Sequence, residues 1–128
     1  WKFHAGVDMA GRTGDPIYAT GDGVVEKVIY SRARTGYGTQ VLINHGFGYK
    51  TRYAHLNKVH IERGDSVKRG QLIADMGNTG ISTAPHLHYE VIYRNSHVNP
   101  INYFDRNMSA EAYKSLMNQI QEENYEAE

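Results

Sequence analysis

Apolar and polar residues alternate along several short stretches of this chain. Such a period of two is typical of strands that bury one face, and glycine-rich turns separate the stretches. The pattern predicts a mainly β protein with a hairpin over residues 39–54, whose turn lies at 45–48. The strands are predicted over residues 24–30, 40–44, 49–54 and 87–93.

The C-terminal region has a different pattern. Residues 109–125 contain no Gly or Pro, and their apolar side chains recur at helical spacing. The sequence therefore predicts a β domain over residues 1–106, followed by a C-terminal helix and acidic tail over 107–128. The residues that set the helical period are Tyr113, Leu116, Met117 and Ile120.

Composition excludes some classes of partner and site. The 128 residues include 14 Lys and Arg and 14 Asp and Glu, so the net charge is zero. That balance argues against nucleic acid or an anionic membrane as the main partner. With no cysteine, any metal must be held by histidines and carboxylates. No apolar run is long enough to span a bilayer, so we expect no membrane contact from this segment.

The chain opens abruptly at Trp1-Lys2-Phe3-His4. We therefore expect a fragment of a longer exported or membrane-anchored protein, in which an upstream segment supplies the export signal, an anchor or regulation.

Two histidines lie one residue apart in the stretch TAPHLHYEVIY. In a strand, His86 and His88 share one face, while Leu87 takes the other. Metal binding or catalysis would explain the pair. Two histidines on a solvent face would produce the same pattern.

A second group of candidate metal ligands lies in HAGVD, near the start of the chain. On an extended segment, the even spacing puts His4 and Asp8 on one face. With one histidine of the 86/88 pair they would form a two-histidine, one-carboxylate site, which leaves a position open for water, as catalytic zinc requires. His55, in Tyr-Ala-His-Leu, is a candidate base or oxyanion stabiliser beside it.

Several blocks resemble, in order, those of the lysostaphin-type (LytM-like) zinc metallopeptidases. The resemblance covers residues 3–104 and implies a two-layer antiparallel β sandwich of the duplicated hybrid motif, with Zn²⁺ in a groove. It implies hydrolysis of peptide bonds in bacterial peptidoglycan, in the periplasm or outside the cell. Family members divide between glycine bridges and D-amino-acid cross-links. The blocks are HAGVDMAG, PIYATGDGVVEKV, YGTQVLINHG, YAHL, GDSVKRGQLIADMGNTG and PHLHYE.

The resemblance also implies a role for each candidate residue. His4, Asp8 and His88 match the three zinc ligands, and His55 and His86 match the two catalytic histidines that do not bind metal. One imidazole of the H-x-H pair would hold the ion, and the other would act on the substrate.

Three other functions compete with this assignment. A non-catalytic relative that binds and regulates another cell-wall hydrolase usually lacks metal ligands, whereas all five positions are filled here. A lipoyl- or biotinyl-carrier module, suggested by GDSVKRGQLI, needs a lysine at a hairpin tip that the corresponding turns lack. A non-haem iron oxygenase uses the same ligand types but spaces its first pair H-x-D, unlike His4 and Asp8.

The remaining histidines are expected to take no part in the chemistry. His45 is predicted to have a structural role in the hairpin turn, His60 to be solvated and His97 to lie in a turn over residues 95–97. Tyr53 and Tyr89 are predicted to pack inside the domain rather than to line the groove.

Overall fold

A computed structural model describes residues 6–80 and 84–98 of the chain. These residues form antiparallel strands, which confirms the predicted mainly β class. No helix in these two ranges is long and apolar enough to cross a membrane. The predicted helix over 109–125 lies outside them. The strands are β1 (Val7–Ala10), β2 (Pro16–Tyr18), β3 (Gly23–Ile29), β4 (Thr39–Gly46), β5 (Tyr49–Val59), β6 (Ser66–Val67), β7 (Leu72–Met76), β8 (His86–Tyr93) and β9 (Ser96–Val98).

Strand β5 organises the sheet. The main path runs β1-β8-β5-β4-β3-β6, while β7 pairs with both β5 and β2, and β9 flanks β8. Residues 49–54 of β5 pair with β8. Residues 56–59 pair with β7, and the register of this pairing shifts between Leu56 and Lys58. Because β5 takes part in both pairings, it joins the short strands to the main sheet.

One hydrophobic cluster draws residues from strands β1 to β8. Full burial of each large apolar side chain contributes about 1.5–3 kcal/mol. On β8, Leu87 and Tyr89 belong to the cluster, while His86 and His88 are only partly buried. The alternation predicted from the sequence therefore places the two imidazoles on the face away from the core.

The hairpin predicted over residues 39–54 consists of β4 and β5. Its strands close at the pair Gly46 and Tyr49, and Phe47 and Gly48 between them have φ of 54° and 86°. Positive φ at both central residues is what a type I′ turn requires. The turn therefore lies within the predicted 45–48 but is shorter, because His45 belongs to the end of β4 and not to the turn.

The two tyrosines expected to pack inside the domain do so. Tyr53 and Tyr89 are fully buried, with ring centroids 5.4 Å apart. Their hydroxyls lie 3.0 and 2.8 Å from Thr20 Oγ1, so the polar ends are satisfied inside the core.

Of the other histidines, His60 is exposed as expected, and its Nε2 lies 2.8 Å from Asp75 Oδ1. His97 lies on β9 and not in a turn, because the two-residue loop between β8 and β9 is Arg94–Asn95, with φ of 49° and 67°.

Candidate active site

Pairing of β1, β8 and β5 brings four of the predicted site residues to one cavity. Asp8 on β1 and Ala54 on β5 both pair with His88 on β8, and His55 directly follows Ala54. A cavity of about 330 Å³ lies over this junction. It is lined by Asp8, Gly36, Tyr37, His55, His86 and His88.

Four of the five predicted site residues approach one another closely. The ring centroid of His55 lies 4.7 Å from that of His86 and 6.0 Å from that of His88. Asp8 Oδ1 lies 2.7 Å from His88 Nδ1 and 3.7 Å from His86 Nε2. His4 lies outside the described residues.

Backbone carbonyls orient two of the three imidazoles. His55 Nδ1 lies 2.5 Å from the Thr79 oxygen, and His86 Nδ1 lies 2.9 Å from the Ala84 oxygen. A carbonyl oxygen only accepts hydrogen bonds, so each Nδ1 donates. In the neutral ring it is therefore Nε2 that carries the lone pair.

His55 occupies an unusual backbone position. Its φ is 60°, the left-handed region that a non-glycine residue enters at a cost of order 1–3 kcal/mol, and its N–H donates to the Tyr37 oxygen at 2.8 Å. Burial lowers the pKa of the ring, and the neighbouring His86 and His88 act in the same direction against the hydrogen bond to Thr79. The lowered pKa favours the neutral ring near pH 7.

His88 has carboxylates at both ring nitrogens. Nδ1 lies 2.7 Å from Asp8 Oδ1, and Nε2 lies 2.9 Å from Glu90 Oε2. The hydrogen bond to Glu90, followed by that to Asp8, raises the pKa of the ring against the opposing effect of burial. Because ionised carboxylates only accept, both bonds together require a doubly protonated ring.

Glu90 is the main site residue that the sequence reasoning missed. Its side chain is 2 % exposed, so burial would raise its pKa, but hydrogen bonds from His88, Tyr37 and Arg52 outweigh burial and lower the pKa to about 2. The signal was present in the sequence, since Glu90 follows His86 and His88 at the same even spacing and shares their face.

Three further residues surround this carboxylate. Arg52, which pairs with Glu90 across β5 and β8, also places its guanidinium 4.5 Å from the ring centroid of Tyr37. Tyr37 Oη and Arg52 Nη1 each lie 2.7 Å from a Glu90 oxygen, and His97 Nε2 lies 2.9 Å from one. None of the three is adjacent to Glu90 in sequence, so no local pattern pointed to them.

The donor chemistry of the cavity suits zinc. Asp8 offers a carboxylate oxygen and His88 an imidazole nitrogen, both ordinary zinc donors, close enough together to share one ion. The third expected ligand, His4, lies outside the described residues. Among residues 6–80 and 84–98, no group of three or more metal-binding side chains is arranged to hold an ion.

Comparison with known proteins settles the family. A model described as Peptidase family M23 matches residues 2–100, which is most of the chain. The chain belongs to peptidase family M23. This confirms the resemblance stated from the sequence blocks.

Relatives of this M23 chain include cell-wall enzymes. It is 48 % identical over 96 residues to the peptidoglycan DD-endopeptidase ShyA of Vibrio cholerae. The aligned region covers 75 % of this chain and 22 % of ShyA. The chain spans about a fifth of the length of the curated relatives it matches.

Solved structures share the fold. The catalytic domain of the antimicrobial peptidase lysostaphin from Staphylococcus simulans matches with a TM-score of 0.72 and 31 % identity, over 80 % of each chain. A zinc-containing peptidase from Vibrio cholerae matches with a TM-score of 0.69 and 47 % identity, over 75 % of this chain and 29 % of that one. These matches confirm the predicted fold class.

Proposed function

We propose that this M23 domain is a zinc metalloendopeptidase that hydrolyses peptide bonds in bacterial peptidoglycan outside the cytoplasm. The observation that carries the proposal is the convergence of Asp8, His55, His86 and His88 on one cavity. The names of ShyA and of the zinc-containing peptidase support the substrate and the metal.

The proposed ligands are His4, Asp8 and His88. The two histidines of the H-x-H pair have different Nδ1 partners, a backbone carbonyl for His86 and the Asp8 carboxylate for His88. This difference supports His88 as the ligand that shares an ion with Asp8. When bound, zinc would lower the pKa of a water toward ~7 and polarise the substrate carbonyl.

His55 and His86 are the proposed catalytic histidines. Each donates through Nδ1 to a backbone carbonyl, which holds the ring in place before substrate arrives. Nε2 is then the atom at which each ring accepts a proton from the attacking water or returns one to the leaving amine. General acid–base groups of this kind contribute ~10²–10⁴-fold in rate.

The bond proposed for cleavage is a D-amino-acid cross-link. The chain is more similar to ShyA, a DD-endopeptidase by name, than to lysostaphin, at 48 % against 31 % identity. The glycine bridge is the competing substrate.

Digestion of purified peptidoglycan tests this function. The zinc-loaded chain is incubated with peptidoglycan that has direct D-amino-acid cross-links and, separately, with glycine-bridged peptidoglycan, and fragments are identified by mass spectrometry. We expect the cross-links of the first substrate to be hydrolysed, so that its cross-linked peptide dimers are converted to monomers. Activity should disappear with a chelator and return with zinc.

The matched control is His55→Ala, which leaves all three proposed ligands in place. It should bind zinc and release few fragments. Release of fragments only from glycine-bridged material would overturn the substrate assignment. A zinc-bound chain that binds peptidoglycan and cleaves neither substrate would instead identify a non-catalytic module that regulates another hydrolase.

A further inference from the structure

A buried carboxylate lies behind the H-x-H pair, and all four of its acceptor positions are used. Glu90 Oε2 accepts from Tyr37 Oη at 2.7 Å and from His88 Nε2 at 2.9 Å. Glu90 Oε1 accepts from Arg52 Nη1 at 2.7 Å and from His97 Nε2 at 2.9 Å. The carboxylate is therefore held in one orientation by donors from outside its own strand as well as from His88.

Arg52 and Tyr37 brace each other as well as Glu90. Arg52 Nη1 lies 3.2 Å from Tyr37 Oη, and the guanidinium lies over the Tyr37 ring. Within residues 6–80 and 84–98, the buried Nε of Arg52 has no hydrogen-bond partner. Burying an unpaired donor costs free energy. Arg52 keeps this position in spite of that cost, which indicates that its contacts with Glu90 and Tyr37 determine where it lies.

The two carboxylates on His88 differ greatly in freedom. The Glu90 side chain is 2 % exposed and fully bonded, whereas the Asp8 side chain is 66 % exposed. A neutral His88 ring with its proton on Nδ1 would place the lone pair of Nε2 against a buried carboxylate oxygen 2.9 Å away. A ring with its proton on Nε2 instead places the lone pair of Nδ1 against Asp8, whose exposed carboxylate can move away from it.

We propose that Glu90, held by Arg52 and Tyr37, is a positioning residue that keeps the proton of His88 on Nε2 and presents Nδ1 beside Asp8 as the metal-binding atom. This inference rests on the proposed zinc function. Glu90 acts through His88 and touches neither the ion nor the substrate. Partners of this kind typically contribute 10–100-fold to metal affinity.

Zinc affinity of Glu90→Gln tests the proposal. The amide has one acceptor oxygen, so one pair of donors must face an N–H₂ group instead. We expect zinc binding to the 128-residue chain, measured by competition with a chelator, to weaken about 10–100-fold. Affinity within about twofold of wild type would overturn the proposal.

Glu26→Gln is the matched control. Glu26 is a carboxylate that, like Glu90, has a cationic partner, Lys50 at 2.9 Å, but it is less buried and lies on β3, two strands away from β5 and outside the cavity lining. The same chemical change there should leave zinc affinity within about twofold of wild type. An equal loss of affinity in both variants would assign the effect to general destabilisation and overturn the proposal.

Nitrogen NMR of the zinc-loaded wild-type chain supplies a test that no folding defect can obscure. We expect the His88 ring to carry its proton on Nε2, with exchange slower than for the exposed His60 ring. A proton on Nδ1, or none on Nε2, would overturn the proposal. In a folded Glu90→Gln chain the Nε2–H signal should broaden or exchange faster, which a purely structural role would not produce.

The outcomes separate this inference from the proposed function. A wild-type chain that binds no zinc overturns both. Zinc binding by wild type with unchanged affinity in Glu90→Gln overturns only the role of Glu90.

Discussion

The identity of each imidazole's partner distinguishes residues that look alike in the sequence. His86 donates to a backbone carbonyl, and His88 lies between an exposed and a buried carboxylate. A carbonyl oxygen orients an imidazole ring but carries no net charge. A carboxylate is negative, so it favours the protonated ring or a bound cation beside it. The spacing H-x-H brings both rings to the cavity, and their surroundings divide the proposed work between them.

Alanine at each of these histidines should have different effects on metal content. His88→Ala removes a proposed ligand, so zinc affinity should collapse together with activity. His86→Ala leaves the three ligands, so zinc should be retained while peptidase activity falls ~10²–10⁴-fold. Zinc content by atomic absorption, measured beside activity, distinguishes them. Zinc lost from His86→Ala but retained by His88→Ala would reverse the assignment.

A histidine outside the cavity should make stability depend on pH. His45 Nδ1 donates to the Asp22 oxygen at 2.6 Å, Nε2 lies 2.7 Å from Thr51 Oγ1, and burial lowers the pKa of the ring below its ordinary 6.5. Below pH 6.5 the unfolded chain therefore binds more protons here than the folded chain. This contribution to stability is fully present above pH 6.5 and is lost as pH falls through the lowered pKa.

Urea unfolding of the metal-free chain at pH 7.5 and 5.5 measures this effect. Wild type should lose more stability between the two pH values than His45→Asn, which has no titrating ring. Equal losses in the two chains would show that His45 does not contribute.

Single site residues could be predicted where a short sequence motif is enough to identify them. Asp8, His55, His86 and His88 were selected from local spacing and family blocks, and the structure gathers all four. Their roles stay predictions. The partners of Glu90 were missed because each reaches it through strand pairing, which spacing along one strand does not reveal.

At the scale of the element, close approach of β1 to β8 fixes the position of His88. A Cβ on Gly6 would lie 2.6 Å from the Tyr89 oxygen and 2.8 Å from His88 Cε1. Only glycine fits against the strand there without moving the ring or the backbone.

Gly6→Ala should therefore weaken zinc binding and also destabilise the fold, by about 1–3 kcal/mol for overpacking. The control is Gly64→Ala, where φ is 93° and no atom of the described residues lies within 4 Å of the added Cβ. That variant should lose about 1–2 kcal/mol through backbone strain and keep its zinc affinity. Calorimetry and chelator competition measure the two effects. Normal zinc affinity in Gly6→Ala would contradict the close-packing account.

The hairpin tip offers a stabilising substitution. Phe47 is 94 % exposed at φ 54°, so its side chain gains little from burial while its backbone is strained. Phe47→Asn should stabilise the domain by about 1 kcal/mol, because Asn-Gly is the preferred type I′ pair. Thermal unfolding checks this. A lower melting temperature would show that Phe47 makes a stabilising contact.

The strands that could be predicted from the sequence pattern are the longest ones. The four predicted strands correspond to β3, β4, β5 and β8, each with at least seven residues. Strands β2, β6 and β9 have two or three residues, too few for a period to be recognised. Residues 21–24 (GDGV) and 64–67 (GDSV) are similar in sequence, and they lie side by side because Gly23 pairs with Val67 across β3 and β6.

At the scale of the whole molecule, the family match and the structure cover the same region. The M23 model ends at residue 100, and the described residues end at 98. The predicted boundary at 106 and the helix beyond it stay predictions. Within the described part, one hydrophobic cluster supports the strands that carry Asp8, His55 and His88, so the cavity is built on the sheet.

The crystal structure of the zinc-loaded chain tests the central claim most directly. We predict one zinc ion, bound by His4 and His88 nitrogens at about 2.0–2.1 Å and by an Asp8 oxygen at about 2.0–2.2 Å, with the remaining position open to water. His55 and His86 should line the same cavity beyond bonding distance of the ion. An ion held by His86 or His55 in place of His88, or His4 and Asp8 remote from His88, would contradict the account.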